Sequence, residues 1–171
     1  YDLGERVAII GMGNSAMDVA RTVIRHGARE VTLYARGLAS NASEHETAYA
    51  RLDGAAFEFG KQIAEITDDG PVFENILYDE EGNQTGVDEK MEQIYADSTI
   101  ISISQGPKSK LVNTTEGLKA SPNGLLMTDE NGQTTIPGIF ASGDVVLGAR
   151  TVVEAAAYSK VVAEAMDEYM R

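Results

Sequence analysis

The sequence predicts an α/β chain built on a central parallel sheet with a β-meander added to it. Three observations carry this reading. A short apolar run, Arg6–Ile10, gives way to a Gly-x-Gly turn and then to a helical pattern. A second strand-like run, Glu30–Tyr34, follows at the distance a β-α-β unit needs, about 30 residues in all. Beyond Phe59 the apolar period shifts from helical to alternating, with turn residues between the runs.

Each element has its own warrant. Arg6–Ile10 reads Arg-Val-Ala-Ile-Ile, an apolar stretch suited to a buried parallel strand. From Ala16 to His26, the residues Ala16, Val19, Ala20, Val23 and Ile24 share one helical face, and Gly27 offers a C-cap. Glu30–Tyr34 is the second strand. Ser43 stands as an N-cap with Glu46 after it, which predicts a helix over Glu44–Leu52. Ala56–Phe59 is a third strand. Gln62–Thr67, Val72–Tyr78 and Met91–Tyr95 form the meander, turned by Asp68-Asp69-Gly70-Pro71 and Glu80-Glu81-Gly82-Asn83. Ser98–Ile103 is a further buried strand, closed by Gly106-Pro107. Lys108 to Pro122 is polar and loop-like, and Leu125–Thr128 and Gly138–Ala141 are short strands. Thr151–Tyr169 is an alanine-rich helix whose Val152, Ala155, Ala156, Ala163 and Met166 read as core.

Composition narrows the function classes. The 171 residues suffice for one domain or two small ones, and 43% hydrophobic content supports a packed core. A net charge of −13 and a pI near 4.5 repel phosphate backbones and anionic membranes, so neither nucleic acid nor a membrane is expected as partner. There is no cysteine, hence no disulfide, thiolate metal site, cysteine-ligated cluster or redox dithiol within these residues. His26 reads as a helix C-terminal residue and His45, between Glu44 and Glu46, as part of a solvated face. No apolar run approaches the about 18–20 residues of a membrane helix, and no signal peptide is visible, so the cytoplasm is the expected compartment. The sequence begins at Tyr1, without Met, just ahead of a strand; an excised fragment is expected.

The turn Gly11-Met12-Gly13-Asn14-Ser15-Ala16 carries the first chemical signal. Gly11 lets the chain turn out of the strand, Gly13 lets a pyrophosphate approach the backbone, and Ala16 lets the helix pack closely on the sheet. The helix start then offers free N–H groups and a positive dipole end to phosphate. A plain strand-to-helix turn would need one glycine rather than two. The strand before, the helix after and the second strand make this a Rossmann-like NAD(P)-binding pattern. An NAD site places Asp or Glu at the end of the second strand. Here that place reads Leu33-Tyr34-Ala35-Arg36, and a guanidinium suits a 2′-phosphate, which favours NADP(H). The plainer alternative is an exposed loop arginine.

The second signal is Ile136–Asp144, a short strand ending in Gly143-Asp144, followed by Gly148 and Thr151-Val152-Val153-Glu154-Ala155. A carboxylate there can accept hydrogen bonds from a polyol, and a helix start can stabilise negative charge on a ring. A simple turn accounts for Gly-Asp equally well.

Together these stretches resemble a known family. Val7–Arg21, Thr99–Pro107 and Ile136–Ala157 look like the carboxyl-terminal part of the two-dinucleotide-fold flavoproteins of the FAD-dependent pyridine nucleotide-disulfide oxidoreductase superfamily. Within it they are most similar to the glutamate synthase small (β) subunit group. The resemblance implies an NADP(H)-binding domain over residues 1–107. It implies that 108–171 form the carboxyl-terminal segment of a discontinuous FAD-binding domain. Gly11, Gly13, Asn14, Ser15 and Ala16 would hold the NADPH pyrophosphate, and Arg36 would read the 2′-phosphate. Asp144, after Gly143, would contact the flavin ribityl chain, and the backbone at Thr151, Val152 and Val153 would meet the flavin ring. Three features depart from the group: Gly37 replaces a second arginine, Ser104 replaces a glycine, and the FAD domain's own Gly-x-Gly-x-x-Gly and the upstream cluster cysteines are absent.

The implied activity is hydride passage from NADPH to FAD in a parent oxidoreductase, with electrons going on to a large accepting subunit. No residue stands out as a general acid, base or nucleophile, and the fragment alone is expected to be inactive. A stand-alone NADP(H)-binding or sensing module is the main alternative, and a related reductase with a pyrimidine or ferredoxin acceptor is another. A thioredoxin-reductase role is disfavoured without Cys-x-x-Cys. A half-built FAD domain is also open to pairing with a second copy, as a homodimer of the fragment.

Overall fold

In the computed structural model, which describes residues 1–171, the run Arg6–Ile10 forms strand β1, buried from Val7 onward. Helix α1 (Asn14–Arg25) follows, then β2 (Glu30–Tyr34), α2 (Glu44–Asp53) and β3 (Ala56–Glu58). Strands β4 (Lys61–Thr67), β5 (Gly70–Tyr78) and β6 (Gln84–Gln93) make an antiparallel sheet, and β7 (Ser98–Ile101) returns to the first one. That first sheet is parallel, in the order β3-β2-β1-β7, with Val7 level with Val31 on one side and Ser98 on the other. The remaining helices are α3 (Lys110–Thr114), α4 (Asp144–Leu147) and α5 (Val152–Met170). Internal packing divides the chain into two compact units, Tyr1–Ser104 and Gln105–Arg171.

The apolar character of β1 follows from its position between two layers. Successive side chains of a strand point to opposite faces. Val7 and Ile9 therefore pack with Met17, Ala20 and Val23 of α1 and with Val31 and Leu33. Ala8 and Ile10 face the other way and pack with Tyr34 of β2 and Phe73 of the meander. Phe73 is fully buried and stacks on Tyr34 at 4.6 Å between ring centroids. The carboxylate of Asp97, ahead of β7, accepts the N–H groups of Glu5 and Arg6 at 2.9 and 2.7 Å. Those bonds hold it below the usual carboxylate range and pin the start of β1. This unit is the α/β, Rossmann-like arrangement with a β-meander that the sequence predicts.

Several boundaries differ from the sequence reading. Helix α1 opens at Asn14, because the Gly13 carbonyl already accepts the N–H of Ala16 and Met17. Met17, absent from the predicted apolar face, is fully buried. At the other end the N–H of Ala28 reaches the carbonyl of Val23 and that of Gly27 reaches Ile24, a Schellman closure with Gly27 at φ 105°. Helix α2 runs one residue further than expected and keeps the Ser43 cap, whose hydroxyl accepts from Glu46 N at 3.3 Å. The third meander strand is Gln84–Gln93 rather than Met91–Tyr95. Its polar sequence hides it: β6 is an edge strand, largely exposed, held to β5 by backbone bonds. Strand β7 stops at Ile101.

In the second unit, the two short strands expected at Leu125–Thr128 and Gly138–Ala141 are single bridges, Ala120 to Leu126, Thr128 to Thr134 and Gln133 to Phe140. The stretch Lys108 to Pro122, read as loop-like, contains α3, and Asp144 opens the one-turn α4. Helix α5 is not the core helix expected. Val162 is its one buried residue; Ala155, Tyr158 and Ala165 are half-buried, while Val152 and Val153 are 85% and 77% exposed. The inward stripe thus runs through Ala155, Tyr158, Val162 and Ala165, rotated from the predicted one. Gly132 permits the close approach of Val162: a Cβ there would stand 2.4 Å from Val162 Cγ2. No helix of the chain is long and apolar enough to cross a membrane.

Candidate functional site

The first unit carries its site at the carboxyl end of β1. Gly11 leaves the strand at φ 130°, and a Cβ on it would lie 2.1 Å from the Ser102 carbonyl oxygen. Backbone conformation and space both demand glycine here. Gly13 is different. Its φ of −93° suits any residue, yet nothing lies within 4 Å of where its Cβ would stand. The second glycine keeps a space open rather than relieving strain. Beside it the N–H groups of Gly13, Asn14 and Ser15 find no acceptor in the chain, no side chain caps α1, and its first turn has no acidic residue. Ala16, fully buried, brings the helix against the sheet. Free N–H groups at an uncapped helix start, facing open space, fit a pyrophosphate.

The loop after β2 faces this cradle and is tied to it. Ser40 Oγ donates to the Met12 carbonyl at 3.1 Å, and Asn41 N donates to the same carbonyl at 3.0 Å. Asn14 Oδ1 accepts from Ser43 N at 2.8 Å, which leaves the Asn14 NH2 as the group able to donate to a ligand. Arg36 is exposed just past β2, with Nη2 donating to Gln84 Oε1 at 2.9 Å and its carbonyl accepting from the Tyr78 hydroxyl. Gly11, Gly13, Asn14, Ser15 and Arg36 all line one cavity of about 560 Å³, whose walls also include Lys61 and Ser104. Its lining contains no carboxylate, in a chain of net charge −13. The Lys61 ammonium is engaged by Glu92 and by Asn75 Oδ1 at 2.7 Å, and that ion pair holds the Glu92 carboxyl below its ordinary value.

The second unit holds the other expected residues in two places. Gly143, at φ 75°, turns the chain into α4, and Asp144 lines a cavity of about 380 Å³ with Pro107, Leu111, Leu125 and Gly148. Asp144 Oδ1 accepts from Arg150 N at 3.4 Å. Thr151, Val152 and Val153 do not line that cavity; they start α5. There Thr151 and Glu154 form a capping box. Thr151 N donates to Glu154 Oε2 at 3.0 Å, Glu154 N donates to Thr151 Oγ1 at 3.2 Å, and Arg150 Nη1 donates to Glu154 Oε1 at 2.9 Å. These donors, Thr151 first, pull the Glu154 carboxyl down to about 2. The Thr151 N–H is therefore spent on its own cap, and Val152 and Val153 keep the free N–H groups of this helix start.

Sequence reasoning missed Ser40, Asn41, Lys61, Tyr78 and Gln84. The cap at Thr151 was also missed: T-x-x-E at Thr151–Glu154 is the same capping pattern that was read as S-x-x-E at Ser43. Nothing local marks Tyr78 or Gln84, which reach Arg36 from 42 and 48 residues away.

Comparison with known proteins bears on this geometry. The family described as pyridine nucleotide-disulphide oxidoreductase matches residues 1–160. The NADP(+)-dependent formate dehydrogenase subunit beta of Moorella thermoacetica is 31% identical over 98% of the chain. The NADPH glutamate synthase small chain of Halomonas elongata is 33% identical over 98%. The chain spans 25% and 39% of these relatives' own lengths. Thioredoxin reductase of T. acidophilum superposes over 99% of the chain and 54% of its own, with a TM-score of 0.79. At 20% identity that likeness speaks for the fold alone.

Proposed function

Because the chain belongs to the pyridine nucleotide-disulphide oxidoreductase family, we propose that it is part of a longer NADPH-dependent flavoprotein of the glutamate synthase small-subunit type. Residues 1–107 would form its NADP(H)-binding domain and residues 108–171 a segment of its FAD-binding domain. One observation carries the nucleotide reading: an open glycine cradle at Gly13 and an arginine share a cavity that no carboxylate lines. The N–H groups of Gly13, Asn14 and Ser15 hold the pyrophosphate, with the Asn14 amide beside them. Arg36 pairs with the 2′-phosphate, where an acid would instead bind a free ribose hydroxyl.

When bound, the two cofactors supply the redox chemistry, a hydride passing from nicotinamide to flavin. For the second unit, Asp144 accepts hydrogen bonds from the flavin's polyol, and the N–H groups of Val152 and Val153 meet its ring. This unit has no strand-glycine-helix cradle, so the FAD phosphates are assigned to residues outside this chain. A large electron-accepting partner subunit is part of the same proposal; the names of the two relatives, a subunit beta and a small chain, support it.

The test is a fluorescence titration of the chain with NADPH and NADH. NADPH should bind about tenfold or more tightly, and Arg36→Ala should erase the difference. Tenfold tighter binding of NADH would overturn the assignment. In the longer protein, Asp144→Ala should lower the flavin content read by visible absorbance.

A further inference from the structure

We infer that the β5–β6 hairpin is the device that positions the phosphate-reading arginine, with Gln84 orienting its guanidinium and Tyr78 fixing its backbone. The inference rests on the NADP(H) reading of the cavity and adds the residues that set its selectivity.

Arg36 follows β2 on a segment with no regular structure, and its side chain is exposed. Such a side chain samples many rotamers unless something holds it. Here the holding groups come from the meander and the turn ahead of it. Gln84, the first residue of β6, accepts Arg36 Nη2 at 2.9 Å. The Tyr78 hydroxyl, at the end of β5, donates to the Arg36 carbonyl. Lys61 N donates to the Ala35 carbonyl at 2.9 Å, and Gly60 N to the Gly37 carbonyl at 3.3 Å. The hairpin tip is itself fixed, since the Asp79 carboxylate accepts Asn83 N at 2.7 Å and Asn83 Nδ2 at 3.2 Å. Orientation of Arg36 is thus imposed from a rigid turn.

Charge shows why glutamine suits this place. Two cations line the cavity, Arg36 and Lys61. Lys61 is neutralised by Glu92, whereas Arg36 makes no ion pair. A carboxamide oxygen takes one guanidinium N–H and cancels none of the positive charge. The second Nη2 N–H and its neighbouring donor, Nη1 or Nε, remain as a pair for a phosphate monoester, which they can bind in fork geometry. A carboxylate at the same point would hold the same geometry and remove the charge.

The experiment is isothermal titration of the chain with NADP+ and NAD+, on wild type, Arg36→Ala, Gln84→Ala, Gln84→Glu, Tyr78→Phe and the double variant Arg36→Ala/Gln84→Ala. Gln84→Ala and Tyr78→Phe should each weaken NADP+ about threefold to tenfold, and Gln84→Glu about tenfold or more. NAD+ affinity should stay within about twofold throughout. On the Arg36→Ala background, Gln84→Ala should cost nothing further. If Arg36→Ala loses NADP+ while the Gln84 variants bind it normally, the positioning role is overturned and the NADP(H) reading stands. If Arg36→Ala binds NADP+ as wild type does, the NADP(H) reading itself falls. An added loss in the double variant, or equal losses for both nucleotides, also overturns the positioning role.

Discussion

The two glycines of the Gly11–Ala16 turn do different work, and single substitutions separate them. At Gly11 an added methyl would meet the Ser102 carbonyl at 2.1 Å, at a φ of 130° that L side chains rarely adopt. Gly11→Ala should cost about 3 kcal/mol or more of folding stability, read by urea denaturation. At Gly13 the same methyl enters empty space at an ordinary φ. Gly13→Ala should leave stability within about 1 kcal/mol of wild type and still weaken NADPH about tenfold. A Gly13→Ala variant that unfolds, or one that binds normally, would contradict this division. Both glycines and Ala16 were legible in the sequence because their job is local: strand, turn and helix lie within a few residues of one another. Arg36 was legible as a residue type at a strand end. Its partners Tyr78 and Gln84 were not, since a long loop closure brings them there and no pattern in the chain encodes the pairing.

Secondary elements were readable wherever one face is buried. β1, β2 and α1 announce themselves because the sheet is covered by α1 on one side and the meander on the other. β6 does not, since an edge strand exposed on most of its length imposes no alternation. The meander is anchored through Phe73, stacked on Tyr34 and fully buried. Phe73→Ala should therefore cost about 3–5 kcal/mol in denaturant unfolding, and hydrogen exchange should locate the loosening in β4 to β6. Helix α5 depends instead on its cap. Glu154 ionises near 2 in the folded chain against an ordinary value of 4.5. A depressed carboxyl adds stability that is complete above about pH 4.5 and is lost as pH falls through about 2. Glu154→Gln should thus be less stable than wild type at pH 7, and the gap should narrow from about pH 4.5 downward to a small remainder at pH 2 in paired melting curves. A gap undiminished at pH 2 would assign the effect to packing rather than charge.

For the molecule as a whole, the two units differ in how much they bury. The first has a two-layered core that includes Ile9, Met17, Leu33 and Phe73; in the second, Leu118, Leu126 and Val162 are the buried hydrophobic residues. Apolar burial is the main source of stability. Amides of residues 105–171 should therefore exchange with solvent faster than those of β1 and β2 in native-state hydrogen exchange. Equal protection in both units would refute the contrast. The sequence reading of α5 as a core helix failed at this scale: periodicity shows that a helix has an apolar face but not whether anything in the chain covers it. The bond from Ser43 N to Asn14 Oδ1, with Ser40 and Asn41 on the Met12 carbonyl, has a further consequence. On the proposed reading, it makes the turn that would grip the cofactor and the loop that would choose between cofactors a single heritable piece. Grafting another protein's residues 36–43 to switch the preferred coenzyme would also disturb the grip, so a successful swap must carry Met12 to Asn14 along with it.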